Sequence, residues 1–89
     1  MKRNSDFLLR DVAGQQVIVP VGAATEKFPG MITVNATGAY LWELLEQEQT
    51  VDSLVEAMLN RYEVTEETAR QDVQVFTQRL LPTGAILEA

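Results

Sequence analysis

The sequence of 89 residues contains no cysteine and no histidine. Without cysteine, the chain can have no disulfide bond, no thiol nucleophile and no cysteine-ligated zinc or iron–sulfur site. Without histidine, it also lacks the commonest metal ligand and the usual general base near neutral pH. Catalysis would depend on carboxylate, lysine, tyrosine or serine groups alone. We therefore expect a protein that is not an enzyme and that uses no metal or cofactor.

Positive charge is scarce as well, with seven Lys and Arg against thirteen Asp and Glu and a net charge of −6. Nucleic-acid binding requires a basic patch that can neutralise phosphates, so nucleic acid is not an expected partner. No apolar run approaches the length that spans a membrane. The N-terminal segment reaches Asp6 before any apolar stretch, which is unlike a signal peptide. These features predict a cytoplasmic protein.

Hydrophobic residues are abundant, at 46% of the composition, which indicates a packed core rather than disorder. The length is that of one small domain, and we expect residues 1–89 to form it.

The first third of the chain is typical of β-structure. Residues 7–12 and 15–20 are predicted as two strands of a hairpin around Ala13-Gly14, with Pro20 ending the second strand. Residues 21–29 are predicted as a loop or an irregular strand. Residues 31–34 are β-branched and apolar and are predicted as a third strand.

Three helices are predicted to follow the strands. Asn35 is a strong N-cap residue, and the apolar spacing after it predicts a largely buried helix over residues 36–46. Thr50 and Thr65 are predicted to cap a second helix and a third helix, and Pro82 to stop the third. Residues 85–87 are predicted as a short final strand. Strands followed by helices indicate an α+β fold.

One candidate site combines the strand of residues 31–34 with the third helix. If this strand lies at a sheet edge, its free N–H and C=O groups could pair with an extended segment from another chain. Val75 lies off the apolar stripe of the third helix, between Asp72 and Arg79, as expected for a side-chain pocket with a polar rim. The alternative is that the strand is internal and Val75 is an ordinary exposed valine.

A second candidate is Asp52-Ser53-Leu54, which resembles the phosphopantetheine site of acyl carrier proteins. A serine at a helix N-terminus would suit a phosphate group. Those carriers are all-helical, however, whereas the first third of this chain is predicted to be β.

Acidic residues and aromatic residues have structural interpretations. The glutamates at positions 43, 46, 48, 63, 66 and 67 are predicted to lie at helix ends or on solvated faces. Tyr40, Trp42 and Phe76 occur at helical spacing and are predicted to be structural, with Phe76 also at the base of the groove.

Longer segments of the sequence resemble the PqqD family. They are Phe7-Leu8-Leu9-Arg10, Val17-Ile18-Val19-Pro20, the block of residues 30–45 that reads GMITVNATGAYLWELL, and the closing Leu80-Leu81-Pro82-Thr83-Gly84-Ala85-Ile86. The resemblance covers nearly the whole chain, and the block of residues 30–45 is its most specific part.

This resemblance implies a winged helix-turn-helix fold with an N-terminal three-stranded antiparallel sheet. It also implies a precursor-peptide recognition element, which binds the leader of a ribosomally made peptide and presents it to a modifying enzyme, often a radical S-adenosylmethionine enzyme. In the family the leader adds as a strand to the third strand and rests against the third helix. The corresponding residues here are Met31, Ile32, Thr33, Val34, Asp72, Val75, Phe76 and Arg79.

Two other interpretations of the same fold stay open at this point. An exposed strand edge could pair with a second copy of the chain to form a homodimer. A winged helix could also belong to a transcription regulator. The candidate recognition helix, residues 66–81, is poorly equipped for phosphates because it has three acidic residues against Arg70 and Arg79.

Overall fold

The computed structural model describes residues 1–88, in which the three-stranded sheet precedes three long helices and a short strand follows them. The α+β architecture predicted from the sequence is therefore confirmed. In chain order the elements are β1 (Lys2–Arg3), β2 (Phe7–Val12), β3 (Gln15–Pro20), α1 (Ala24–Lys27), β4 (Ile32–Val34), α2 (Ala36–Leu44), α3 (Val51–Arg61), α4 (Glu66–Leu80), a 3₁₀-helix (Leu81–Thr83) and β5 (Ile86–Leu87).

Strands β2 and β3 form the predicted antiparallel hairpin, in which Phe7 is opposite Pro20 and Val12 is opposite Gln15. The two loop residues both have positive φ, 53° for Ala13 and 80° for Gly14. Positive φ at both positions is characteristic of a type I′ turn, whose twist matches that of the two strands. The tight turn therefore fixes the register of the hairpin.

Strand β4 pairs antiparallel with β3, so that Ile18 is opposite Ile32 and Gln16 is opposite Val34. The strand order in this sheet is β2-β3-β4, which places β4 at one edge. The alternative that this strand lies inside the sheet is therefore wrong.

The C-terminal segment turns away from β4 and pairs with the other end of the chain. After the 3₁₀-helix, Gly84 adopts a φ of 84° and turns the backbone. Strand β5 then pairs with β1, with Arg3 opposite Ile86, and the Asn4 N–H donates to the Ala85 carbonyl at 2.8 Å. This pair forms a separate two-stranded sheet, so the described part of the tail, up to residue 88, does not pair with the edge of β4.

The predicted caps start all three long helices. The Asn35 side chain accepts from the Gly38 N–H at 2.8 Å, and Thr65 Oγ1 accepts from the Thr68 N–H at 3.1 Å. Thr50 and Ser53 form a reciprocal capping box at the start of α3. Each cap satisfies backbone donors that have no partner within the helix.

The three helices contribute the apolar faces that the sequence spacing predicts. Trp42 in α2 is 2% exposed, and Leu54 in α3 and Val73 in α4 are fully buried. They join Ile18 and other residues of the larger sheet in one hydrophobic core. No helix in residues 1–88 is long and apolar enough to cross a bilayer.

Several predicted element bounds are corrected by the structure. Residues 21–29, predicted as a loop or irregular strand, contain the short helix α1, so residues 1–88 contain four α-helices rather than three. Met31 precedes β4 instead of starting it, and α2 ends at Leu44 rather than at residue 46. Strand β1 was not predicted, because Lys2 and Arg3 carry no apolar pattern and form a strand only by pairing with β5.

Candidate functional site

The edge of β4 is the first component of the candidate site. In the described part of the chain, β4 has β3 as its only neighbour in the sheet. In an antiparallel pair, alternate residues direct both their N–H and C=O groups away from the partner strand. Part of the β4 backbone is therefore open to hydrogen bonding with another extended segment.

A groove of about 380 Å³ lies next to this edge, between the start of α2 and one face of α4. Val34, the last residue of β4, lines the groove and connects it to the open edge. The complete lining comprises Val34, Asn35, Thr37, Gly38, Leu41, Gln71, Asp72, Val75, Phe76 and Arg79.

Side chains from three elements form an apolar floor. Leu41 and Phe76 belong to the core and are 1% and 8% exposed, and Val34 is 9% exposed. Gly38 allows Val34 and Phe76 to lie close to helix α2, because a Cβ at this position would lie 3.1 Å from Val34 Cβ and 3.4 Å from Phe76 Cε1. The absent side chain of Gly38 thus lets the Phe76 ring pack directly against the first turn of α2.

Helix α4 supplies the outer wall and the rim of the groove. Asp72, Val75, Phe76 and Arg79 have the spacing i, i+3, i+4 and i+7, which places them along one face of the helix. Val75 is 59% exposed at the centre of this face. An exposed valine above a buried phenylalanine, with opposite charges on either side, forms a wall suited to an apolar side chain from another molecule.

The structure brings together five of the eight residues predicted for the site, namely Val34, Asp72, Val75, Phe76 and Arg79. The other three do not line the groove. Ile32 is 5% exposed and belongs to the core, Thr33 is exposed, and Met31 precedes the strand with 59% of its surface exposed. For these three residues a contribution to binding would come from the backbone edge, and for all eight a role in binding stays a prediction.

Five groove residues were not predicted: Asn35, Thr37, Gly38, Leu41 and Gln71. Helical spacing could have identified one of them. Gln71 lies four residues before Val75 and therefore shares a helix face with a predicted residue of the groove.

Ser53, the residue that the alternative interpretation assigns to phosphopantetheine attachment, has a structural role. Ser53 Oγ donates to Gln49 Oε1 at 2.7 Å and accepts from the Thr50 N–H at 2.8 Å. The hydroxyl therefore belongs to the N-terminal cap of α3. The interpretation of α4 as a DNA-recognition helix is weakened in a similar way, because Arg70 forms an ion pair with Asp52 at 2.8 Å.

The order of the elements and the open edge beside α4 define a small α+β domain of the winged-helix type. The family described as Coenzyme PQQ synthesis protein D (PqqD) matches residues 15–86. The chain therefore belongs to the PqqD family, as its sequence resemblance predicts. No curated protein matches the sequence.

Two solved structures share this fold. One, described as "TbiB1 in Complex with the TbiA(beta) Leader Peptide", is 19% identical with a TM-score of 0.75, and the match covers 100% of this chain and 98% of that chain. The other, described as "Lasso peptide synthetase B1 complexed with the leader peptide", is 15% identical with a TM-score of 0.72, and the match covers 98% and 96% of the two chains.

Proposed function

We propose that this protein is a non-catalytic adaptor that binds the leader segment of a ribosomally synthesised precursor peptide. The leader would add as a strand to the edge of β4 and insert an apolar side chain into the groove beside α4. Hydrogen bonds between the two backbones would set the register, and the groove would provide selectivity for side chains.

The observation that carries this proposal is the position of β4. Its outer edge has no strand partner in residues 1–88, and the groove of about 380 Å³ begins at its last residue. Membership of the PqqD family and the similarity to two proteins solved with leader peptides support the same function.

The adaptor would deliver the leader to a peptide-modifying enzyme, which we propose to be of the radical S-adenosylmethionine type from the family resemblance. Because precursor peptides are made on ribosomes, we propose the cytoplasm as the place of binding. Ordering a flexible leader offsets part of the interaction free energy, so we expect a Kd of about 1 μM.

An NMR titration tests the binding site directly. The ¹⁵N-labelled protein is titrated with a synthetic leader from the precursor peptide encoded beside its gene. We expect the largest shift changes in residues 31–34 and 72–79, where the edge and the wall of the groove lie. Shift changes concentrated elsewhere, or no binding, would contradict the proposed site.

Val75→Glu tests the groove with a single substitution. The new carboxylate would have to lose water on contact with an apolar leader side chain, so we expect the Kd to rise at least tenfold. Because Val75 is 59% exposed, the free energy of unfolding should change by less than about 0.5 kcal/mol.

Gln74→Glu is the matched control, because it adds the same charge at an exposed position of α4 outside the groove. We expect it to bind the leader within about twofold of the wild type, since an exposed charge contributes little. Equal effects of the two substitutions, measured by isothermal titration calorimetry, would exclude a specific contact at Val75.

A further inference from the structure

We propose that the groove selects leaders by charge order, which deepens the proposed function and rests on it. The bound segment would carry an apolar anchor, with a basic residue two positions to one side and an acidic residue two positions to the other. The basic residue would lie at Asp72, and the acidic residue at Arg79.

The charges of the groove support this pattern. Asp72 and Arg79 are the two charged residues in its lining. Neither forms an ion pair with another residue in the described part of the chain. The groove thus offers one charge of each sign, although the chain as a whole has a net charge of −6.

The spacing of the two charges fits an extended segment. Asp72 and Arg79 are seven positions apart in the helix, which corresponds to about 10.5 Å along its axis, and Val75 and Phe76 lie midway. In a β-strand, residues two positions before and after a central residue point to the same side and lie about 13 Å apart. The difference is about 1 Å at each end, which the side chains of Lys, Arg or Glu can span.

The groove is also long enough along α4 to include both charged residues. Its lining on α4 extends from Gln71 to Arg79, which corresponds to about 12 Å of helix. A segment that lies along this wall with its anchor at Val75 would therefore pass both charged residues. The direction of the segment decides whether its basic or its acidic residue comes first.

These exposed charges should mainly control selectivity rather than total affinity. Reversing the charge order in the peptide would replace two attractions with two repulsions. We expect the preferred order to bind about tenfold more tightly than the reversed order at low salt, with the preference reduced by screening near 1 M salt.

A phage-display selection with random 12-residue peptides tests this proposal. The baits are the wild type, the charge-reversed variant Asp72→Lys with Arg79→Glu, and the neutral variant Asp72→Asn with Arg79→Gln. The Val75→Glu variant, which blocks the groove, provides the background. All three substituted positions are exposed on α4, and the substitutions should leave the fold intact.

We expect the wild type to enrich one charge order around an apolar residue and the charge-reversed variant to enrich the opposite order. The neutral variant should enrich the apolar residue without either order. Identical charge patterns from the wild type and the reversed variant would overturn the charge-order proposal and leave the adaptor function standing. No enrichment over the Val75→Glu background would overturn both.

Discussion

Ala13 adopts a backbone conformation that its side chain disfavours. Its φ of 53° lies in the left-handed region, where a Cβ approaches the following carbonyl oxygen. The type I′ turn requires this conformation, and Asn-Gly is the sequence that suits such turns best. The hairpin therefore retains strain at this one residue.

We expect Ala13→Asn to raise the free energy of unfolding by about 0.5–1 kcal/mol, because asparagine tolerates the left-handed region. Gly14→Ala is the opposing control, since it adds a Cβ at a φ of 80° and should lower stability by about 1 kcal/mol. Urea denaturation measures both changes. A destabilised Ala13→Asn variant would show that the turn is not of type I′ in solution.

Gly38 combines a low helix propensity with a close packing requirement. Alanine in a helix is favoured over glycine by about 1 kcal/mol, yet its Cβ would lie only 3.1 Å from Val34 Cβ. Val34 Cβ is attached rigidly to the edge strand and cannot move without it. The steric cost should therefore exceed the gain in propensity.

We expect Gly38→Ala to lower the free energy of unfolding by about 1 kcal/mol and to weaken leader binding, because Val34, at the end of the edge strand, must shift to accept the new Cβ. Glu43→Ala, at an exposed position of the same helix, should change stability by less than about 0.5 kcal/mol. A Gly38→Ala variant that is more stable than the wild type would mean that Val34 and Phe76 rearrange easily.

Strand β4 has two edges with different hydrogen-bonding environments. One pairs with β3, and the other is open in the described part of the chain. Because hydrogen bonds alternate along an antiparallel strand, the amide of Thr33 and the amides of Ile32 and Val34 point in opposite directions. About half of the backbone hydrogen-bonding groups of β4 are therefore paired within its own sheet.

Hydrogen exchange should reveal this alternation. In the free protein we expect the inward amides of β4 to exchange slowly and the outward amides to exchange quickly. Leader binding should protect the outward amides and change the inward ones little. NMR-detected exchange with and without the leader provides the measurement. Slow exchange of all three amides in the free protein would mean that the edge is already occupied.

Elements with a regular local pattern could be predicted from the sequence, and elements that depend on distant partners could not. The bounds of β2 and β3 follow from apolar runs around Ala13-Gly14, and the caps of α2 to α4 follow from Asn35, Thr50 and Thr65. Helix α1 has only four residues, which is too short to show a helical period.

The candidate site could also be predicted only in part from the sequence. Val75 is visible as an apolar residue outside the buried stripe, and its neighbours on α4 follow from helical spacing. The opposite wall is less visible, because Thr37 is polar and lines the groove only through the packing of α2 against α4. The position of Thr37 depends on tertiary contacts, which cannot be predicted from a local sequence pattern.

At the scale of the whole molecule, strands near the two ends of the chain pair with each other, and the larger sheet has open edges within residues 1–88. The pairing of β1 with β5 holds the C-terminal segment away from β4. Both β2 and β4 are edge strands of the larger sheet. Open edges can pair with other copies of a protein, and a short edge strand limits that pairing.

We propose that any homodimer through β4 is weak and competes with the leader. A pair of β4 strands offers only three residues from each copy, and each backbone hydrogen bond contributes a net ~0.5–1.5 kcal/mol. A leader would use the same edge and fill the groove as well. Sedimentation velocity should show a monomer at micromolar concentration, self-association near millimolar concentration, and a complex of one leader with one chain when the leader is saturating. A dimer that persists at micromolar concentration with the leader bound would place the contact between copies elsewhere, and the six-residue edge of β2 would then be the surface to test.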